Sequence, residues 1–196
     1  MKIPLFPLHT VLFPGGPLPL RIFEQRYLDM ISSCLKDDSR FGVLLIREGS
    51  ETGDAKTHSV GTLARIADWY QGSDGLLGIT AIGEERFQLL QTERLENGLL
   101  IGDVNCLESA PPQKLPDDDK TMAHILSGVL DDLGKLYESL DKNYDDAGWV
   151  SDRFAEILPV PAEQKQTFLV TEDPLERLKM IREVLVTVRG PGAAVT

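Results

Sequence analysis

The sequence predicts an α+β protein in which a β-rich half precedes a helical half. Short apolar strand patterns and turn dipeptides are concentrated in the first 110 residues, and a proline-rich segment follows them. Apolar residues then recur at helical spacing. We therefore predict a β-rich domain over residues 1–110, a linker over 111–116 and a helical domain over 117–190. Because each predicted helix has one apolar face that needs cover, we expect the helical domain to pack against the first.

Within the β-rich half, prolines near the start confine the chain to extended edges and turns. Asp74-Gly75 and Asn97-Gly98 predict tight hairpin turns, because both dipeptides tolerate positive φ at two successive residues. Successive hairpins at this spacing indicate a meander that closes into a small barrel or sandwich. The apolar residues of one predicted helix are Tyr27, Met30, Ile31, Cys34 and Leu35, and the strand segments are 41–46, 60–70, 76–82, 87–90 and 99–107.

The helical half contains several start and stop signals. Ser151 can cap a short helix, and Asp173-Pro174 combines a capping residue with a first-turn proline. The glycines and proline at residues 190–192 predict the end of the last helix. The apolar face predicted for the first helix of this half comprises Ile125, Val129, Leu133, Leu136 and Leu140.

The charge balance is strongly acidic, with 31 acidic against 20 basic residues and a net charge of −11. Such a surface repels phosphate backbones, so we do not expect nucleic-acid binding. The two cysteines, Cys34 and Cys106, lack metal-ligand spacing and predict a reducing compartment. No signal peptide or membrane span is recognisable, and we expect a cytoplasmic protein that does not bind membranes.

Motifs that carry catalysis or bind cofactors are missing from the sequence. It contains no phosphate-binding loop, no dinucleotide fingerprint and no Gly-x-Ser-x-Gly elbow. His9, His58 and His124 stand alone, without the clustered ligands that zinc requires. We therefore predict that the protein is not an enzyme and has no catalytic residues, cofactor or metal site.

Two aromatic residues, Trp69 and Tyr70, end a predicted strand before a Gly-Ser-Asp-Gly turn. One interpretation makes them anchors of a binding face, because aromatic rings add contact area at small entropic cost. The other makes them strand-end residues that half cover the core.

Several ordered motifs resemble the amino-terminal domain of Lon proteases. The first segment runs from Pro4 to Tyr27 and includes Leu18-Pro19-Leu20-Arg21-Ile22-Phe23-Glu24. The resemblance extends from residue 3 to about residue 186. Further matching segments are Phe41-Gly42-Val43, Val60-Gly61-Thr62, Asp74-Gly75, Gly83-Glu84-Glu85-Arg86-Phe87, Leu158-Pro159, Lys165-Gln166-Thr167-Phe168-Leu169 and Arg177-Leu178.

The resemblance implies a six-stranded β pseudo-barrel, similar to the barrels of PUA domains, with one inserted helix and a C-terminal helical bundle. It also implies a non-catalytic module that recognises unfolded polypeptide segments or a partner protein. The Lon ATPase and protease domains have no counterpart in this sequence, so the resemblance suggests a stand-alone member. The alternatives are an RNA-binding module, by analogy with PUA-like barrels, and an uncharacterised hydrolase.

The candidate polypeptide-binding residues combine the proline-rich loop with the aromatic pair. Prolines and glycines between residues 14 and 19 predict a stiff loop that exposes apolar side chains, although these could instead pack the end of the barrel. Arg21 and Glu24 are expected to tie this loop to the first helix by charge-assisted hydrogen bonds. The candidate binding residues are Phe13, Leu18, Leu20, Trp69 and Tyr70, and the structural signature is Arg21, Glu24, Arg26 and Tyr27. The oligomeric state and natural ligand stay open.

Overall fold

The chain forms two compact units in a computed structural model that describes residues 1–51 and 55–189. The first unit comprises Met1–Ser109, and the second begins at Ala110. Strands dominate the first unit and helices the second, which confirms the predicted α+β class. The end predicted for the last helix, at residues 190–192, lies outside the described residues.

Seven strands and one helix make up the described part of the first unit. The strands β1, β7, β6, β5 and β3 are neighbours in that order, and a parallel pairing between β1 and β3 closes the ring. β2 pairs with β6, and the short β4 pairs with β3. Six strands therefore build the barrel, and β4 is an addition that the sequence did not predict. The bounds are β1 Lys2–Leu8, β2 Pro17–Ile22, α1 Gln25–Asp37, β3 Phe41–Gly49, β4 Ala55–Thr57, β5 Val60–Gln71, β6 Leu77–Arg94 and β7 Leu100–Cys106.

The long strand β6 organises the barrel wall. Its residues 77–82 pair with β2 and its residues 87–94 pair with β7, while β5 runs along its other edge. The strands predicted at 76–82 and 87–90 are therefore one strand. The β5–β6 register shifts twice: Glu84 and Glu85 of β6 lie opposite Leu63 alone, and Ala67 is an extra residue of β5 opposite Thr80 and Ala81, so the sheet bends at these bulges. We call β2 together with residues 65–71 of β5 and 77–82 of β6 the three-stranded wing.

Both predicted hairpin turns are present, at Gly75 and Gly98. These glycines have φ angles of 81° and 84°, whereas neither Asp74 nor Asn97 has a positive φ. Each glycine N–H donates to the carbonyl three residues earlier, at 2.9 and 2.8 Å. The expectation of two successive positive φ angles is thus wrong. These loops are type I turns followed by a left-handed glycine, a common three-residue hairpin connection.

The helix α1 contributes much of the barrel core. Leu35, which was assigned to its apolar face, is instead 43% exposed because it lies at the margin of that face. The larger of two apolar clusters joins α1 to the barrel strands and to Leu12 and Leu99. The α1 residues in it are Tyr27, Met30, Ile31 and Cys34, and the strand residues are Phe6, Leu8, Ile22, Phe41, Val43, Ala64, Ile79 and Ala81.

The second unit is helical, and a short 3-10 turn at Asp117–Asp119 precedes its first helix. Helix α4 packs against α5 and α6. Val150 and Phe154 of α4 are buried, as are Leu178 and Ile181 of α6. The bounds are α2 Lys120–Leu133, α3 Lys135–Glu138, α4 Ala147–Ile157, α5 Ala162–Val170 and α6 Pro174–Arg189.

The apolar face predicted over residues 125–140 is wrong. Leu126 and Leu130 are buried, whereas Val129 and Leu133 are 36% and 48% exposed. The helix α2 also ends at Leu133, so the last two residues of the predicted face do not belong to it. The sequence of α2 contains two apolar stripes one residue apart, one with Leu126 and Leu130 and one with Val129 and Leu133. The packing of α2 against its tertiary neighbours decides which stripe is buried.

Of two helix caps predicted from the sequence, one is present and the other is not. Asp173 caps α6 as predicted, because its carboxylate accepts the N–H of Leu175 at 3.0 Å. Helix α4 is capped by Asp146 and not by Ser151. Ser151 lies within α4, where its buried hydroxyl accepts a hydrogen bond from Nε of Arg177 at 3.0 Å.

Candidate polypeptide-binding groove

An apolar groove lies between β1 and β2 in the first unit. No pairing joins these two strands within residues 1–51 and 55–189, so the barrel wall has a gap there. A cavity of about 250 Å³ occupies this gap. The lining residues are Phe6, Leu8, Thr10, Leu18, Pro19, Leu20, Arg21, Ile22, Phe23, Glu24, Tyr27 and Glu51.

Two of the candidate binding residues, Leu18 and Leu20, form one wall of the groove. In the register of β2 and β6, Leu18 lies opposite Ala81 and Leu20 opposite Ile79. Directly opposed residues share a face of the sheet, and both Ala81 and Ile79 are fully buried. Leu18 and Leu20 pack against this core but remain half-buried. The observed arrangement thus combines both interpretations, since each leucine contacts the core and also borders the groove.

Aromatic rings form the end of the groove near α1. The ring of Tyr27 stacks on that of Phe6, with 4.0 Å between their centroids. Burial raises the pKa of Tyr27, so its hydroxyl stays neutral at physiological pH. Phe23, at the rim, is 61% exposed. Sequence reasoning placed Phe23 in the family motif but missed it as a binding residue, although a large apolar residue between Ile22 and Glu24 was the available signal.

Arg21 and Glu24 were predicted to tie the proline-rich loop to the first helix, but the structure has a different set of ion pairs. Arg21 is exposed and pairs with Asp74 in the hairpin turn of the wing. Glu24 pairs with Arg26, whose Nη2 lies 2.9 Å from the Glu24 carboxylate. Arg26 also donates to the backbone carbonyls of Gly98 at 3.0 Å and Glu51 at 2.9 Å. Arg26 therefore holds α1 against the neighbouring loops, because its side chain points from the start of α1 toward Gly98 and Glu51. The side chain of Arg21 points instead to the hairpin turn at Asp74.

The loop before β2 does not expose Phe13, and this part of the prediction is wrong. Phe13 has no exposed surface. The loop is fastened to β6, since the N–H of Gly15 donates to the carbonyl of Gly83 at 2.8 Å and the N–H of Gly83 donates to Gly16 at 2.9 Å. The hydroxyl of Thr62 also donates to the carbonyl of Leu12 at 2.6 Å. These bonds hold the loop so that the side chain of Phe13 points into the protein interior, where it packs beneath the loop and not toward solvent.

The aromatic pair at the end of β5 is exposed but divided between two faces. Trp69 is 61% exposed and lies opposite Ile79, so it shares a face of the wing with Leu20. Tyr70 is 50% exposed and lies on the other face, where its ring covers Gly78. Trp69 therefore lies on the same face of the wing as Leu18 and Leu20 but does not line the cavity, and Tyr70 lies on the opposite face.

The chemistry available at the groove is apolar contact bordered by a few charges. Within the described residues, no group of three or more His, Cys, Asp or Glu side chains could hold a metal ion. None of the helices in that part of the chain is long and apolar enough to cross a membrane. The groove can bury apolar side chains of a ligand, and Arg21, Glu24 and Glu51 border it.

Comparison with protein families identifies the chain. The model of the ATP-dependent protease La (LON) substrate-binding domain matches residues 2–187. The chain belongs to the Lon substrate-binding domain family. This result confirms the resemblance seen in the ordered sequence motifs.

Curated relatives of this Lon substrate-binding domain include full-length proteases. Lon protease 2 from Myxococcus xanthus is 27% identical over 191 residues, which cover 93% of this chain and 23% of the relative. Protein cereblon from Xenopus tropicalis is 29% identical over 119 residues, covering 59% of this chain and 25% of that protein. The chain thus spans about a quarter of the length of the curated relatives it matches.

Solved structures of the family have the same fold. A Lon N-terminal domain protein from Xanthomonas campestris is 34% identical, with a TM-score of 0.77, and the match covers 93% of this chain and 98% of that one. The N-terminal domain of a Mycobacterium avium complex Lon protease is 17% identical, with a TM-score of 0.67, and the match covers 93% and 97%. The second match supports the fold alone.

Proposed function

We propose that this Lon substrate-binding domain binds unfolded polypeptide segments in the groove between β1 and β2 and has no catalytic activity of its own. One observation carries the proposal: half-buried Leu18 and Leu20 and exposed Phe23 border a single cavity in the barrel wall. Exposed apolar surface of this kind on an otherwise charged protein is typical of an interaction site. The family's description as substrate-binding supports the same function.

The size of the groove suggests weak binding. A dissociation constant near 1 μM corresponds to about −8 kcal/mol, which a few apolar anchors can supply after the cost of ordering the ligand. A cavity of about 250 Å³ accepts one or two side chains and not a folded partner. We therefore expect affinity in the micromolar range or weaker, with little sequence selectivity.

The charge of the first unit argues against the RNA-binding alternative. Residues 1–109 carry 15 acidic and 10 basic residues, so an RNA backbone would be repelled. We also propose a cytoplasmic location, which the two free cysteines, Cys34 and Cys106, support.

The test is a titration with reduced, carboxymethylated α-lactalbumin, a permanently unfolded and acidic protein, and in parallel with a short single-stranded RNA. Each titration is made at about 50 and about 300 mM salt, because counterion release weakens RNA binding steeply over that range. We expect α-lactalbumin to bind at both salt concentrations, since burial of apolar surface drives the association. RNA binding that disappears at the higher salt, without any α-lactalbumin binding, would support the RNA alternative instead.

A matched pair of variants locates the binding surface. Phe23→Ser removes an exposed apolar side chain from the rim of the groove and should weaken α-lactalbumin binding at least about fivefold. Leu90→Ser makes a similar change at a residue of β6 that is 53% exposed and outside the groove. We expect Leu90→Ser to bind like the unmodified protein. Equal affinity of both variants would place the binding surface elsewhere.

A further inference from the structure

The outer edge of β5 is open at its far end. Pairing between β5 and β3 stops at Ala64, opposite Phe41, whereas β5 continues to Gln71. Across residues 1–51 and 55–189, no strand pairs with this side of β5 after Ala64. Residues 67–71 are all exposed. An open strand edge presents backbone N–H and C=O groups to any chain that can pair with them.

The hydrogen-bond register shows which backbone groups face outward. The N–H of Gly72 donates to the carbonyl of Leu76 at 2.8 Å across the hairpin, so Gly72 faces β6. Hydrogen bonding alternates along an antiparallel pair. The backbone N–H and C=O of Tyr70 therefore also point to β6, whereas those of Trp69 and Gln71 point away from it, toward the open edge. In agreement, the N–H of Trp69 donates to the carboxylate of Asp68 at 2.8 Å and not to a neighbouring strand.

The opposite edge of the wing is closed to the same chemistry. β2 forms that edge and contains Pro17 and Pro19, which have no N–H to donate. Prolines are tolerated in a sheet where their nitrogen faces away from the neighbouring strand, so both face the open side of β2. The β5 edge of the wing can therefore both donate and accept backbone hydrogen bonds, whereas the β2 edge lacks two N–H donors.

We propose that residues 67–71 of β5 take up an extended segment of unfolded polypeptide as an added strand, an inference that rests on the proposed function and adds a second contact site for the same class of ligand outside the groove. A backbone carbonyl of the incoming segment replaces the carboxylate of Asp68 as acceptor for the N–H of Trp69. The released carboxylate is then free to attract a basic side chain. The exposed indole of Trp69 supplies apolar contact beside the strand, so main-chain bonds give affinity without sequence selectivity.

The charge near the edge favours a foreign segment over a second copy of this chain. Antiparallel pairing of two β5 edges around Trp69 would place each Asp68 diagonally across from the Asp68 of the other strand, roughly 7–8 Å away, where the two carboxylates repel each other. Two copies would also each carry a net charge of −11. The occupant is therefore a neutral or basic extended segment.

The first experiment compares two peptides on the unmodified protein. One is acetyl-Val-Thr-Val-Lys-Val-Thr-Val-amide, and the other has the same sequence with every backbone amide between residues N-methylated, so that it cannot pair as a strand. We expect methylation to weaken binding at least about tenfold, because several hydrogen bonds are lost together. Equal binding of the two peptides would overturn the proposal.

The second experiment removes an outward donor from β5. Gln71→Pro deletes the outward N–H and should be tolerated as the prolines of β2 are, while Gln71→Ala removes the same side chain but keeps that N–H. We expect Gln71→Pro to bind the unmethylated peptide about fivefold more weakly than Gln71→Ala. A folded Gln71→Pro protein that binds as well as Gln71→Ala would also overturn the proposal. Should Gln71→Pro fail to fold, the peptide comparison decides alone.

The titration with α-lactalbumin separates this proposal from the proposed function. Absence of both α-lactalbumin binding and peptide binding to the unmodified protein would overturn both proposals. Absence of α-lactalbumin binding alone would overturn only the groove, because α-lactalbumin is acidic and the edge of β5 takes a neutral or basic segment. Binding of α-lactalbumin together with equal binding of the two peptides would overturn only the strand-addition mode and leave the groove as the binding site.

Discussion

The guanidinium of Arg26 lies over the ring of Tyr27, with 4.6 Å between its central carbon and the ring centroid. The same guanidinium pairs with Glu24 and donates to the carbonyls of Gly98 and Glu51. The side chain of Arg26 is only 11% exposed. One residue thus joins the start of α1, a hairpin turn and the end of the segment after β3, while its cation–π contact adds to the packing of Tyr27.

Replacement of Arg26 should destabilise the first unit substantially. We expect Arg26→Ala to lower the free energy of unfolding by about 2–4 kcal/mol, because two backbone carbonyls lose their donor and Glu24 loses its partner. Urea denaturation followed by circular dichroism measures the change. Arg21→Ala is the matched control, since the Arg21 side chain is 60% exposed and its ion pair should contribute less than about 1 kcal/mol. Equal losses for the two variants would contradict this assignment.

Glycine at residue 83 is required by the close approach of the loop before β2. A Cβ at this position would overlap the backbone carbonyl of Phe13, which cannot move without breaking the hydrogen bonds between Gly83 and the loop. We expect Gly83→Ala to destabilise the protein by at least about 3 kcal/mol. The melting temperature, followed by circular dichroism, reports the change.

Gly75→Ala is the control for the loss of a glycine without overlap. Gly75 has a φ of 81°, and no atom lies within 4 Å of the position that an alanine methyl group would take, so alanine there is strained but does not collide. We expect a cost of about 1 kcal/mol from the left-handed backbone alone. A larger loss for Gly75→Ala than for Gly83→Ala would show that backbone strain, and not the contact with Phe13, dominates.

The carboxylate of Asp146 joins two segments of the second unit. One oxygen accepts the N–H of Trp149 at 2.7 Å and caps α4, and the other accepts the N–H of Gln113 at 3.0 Å. We expect Asp146→Ala to lower the free energy of unfolding by about 2 kcal/mol and Asp146→Asn by less, because the amide keeps one acceptor. The neighbouring exposed residue provides a control, and Asp145→Ala should change stability by less than about 0.5 kcal/mol. Equal effects at the two positions would exclude the capping role.

Features that depend on local chemistry could be predicted from the sequence. The hairpin turns at Gly75 and Gly98 and the start of α6 at Asp173 depend on residues only a few positions apart. The detailed turn type was missed because aspartate and asparagine permit a positive φ without requiring it.

Features that depend on distant contacts could not be predicted. Burial of Phe13 follows from hydrogen bonds to Gly83, and the sequence gives no sign that these residues meet. Arg21 and Arg26 are equally charged and close together, yet only Arg26 faces the loops that supply its carbonyl partners. The groove exists because β1 and β2 do not pair, which is a property of the barrel topology and not of either strand.

Glu156 is a buried acid within the second unit. Its carboxylate accepts a hydrogen bond from the hydroxyl of Tyr137 and lies 2.9 Å from a guanidinium nitrogen of Arg153. The ammonium of Lys165 donates to the backbone carbonyl of Glu156 at 2.6 Å. Burial raises the pKa of Glu156 above its ordinary value, and the opposing effects of Arg153 and Tyr137 offset this only in part.

Removal of the Glu156 carboxylate should therefore change how stability depends on pH. An acid whose pKa is higher in the folded protein than in the unfolded chain contributes stability below about pH 4.5 and loses it as pH rises through the raised pKa. We expect the unfolding free energy of the unmodified protein minus that of Glu156→Gln to fall as pH rises from about 4 to about 7. Urea denaturation at several pH values measures this difference, with Glu172→Gln as a control for the same charge change at an exposed residue. A difference that grows with pH would mean that Arg153 lowers the pKa of Glu156 by more than burial raises it, and would contradict the prediction.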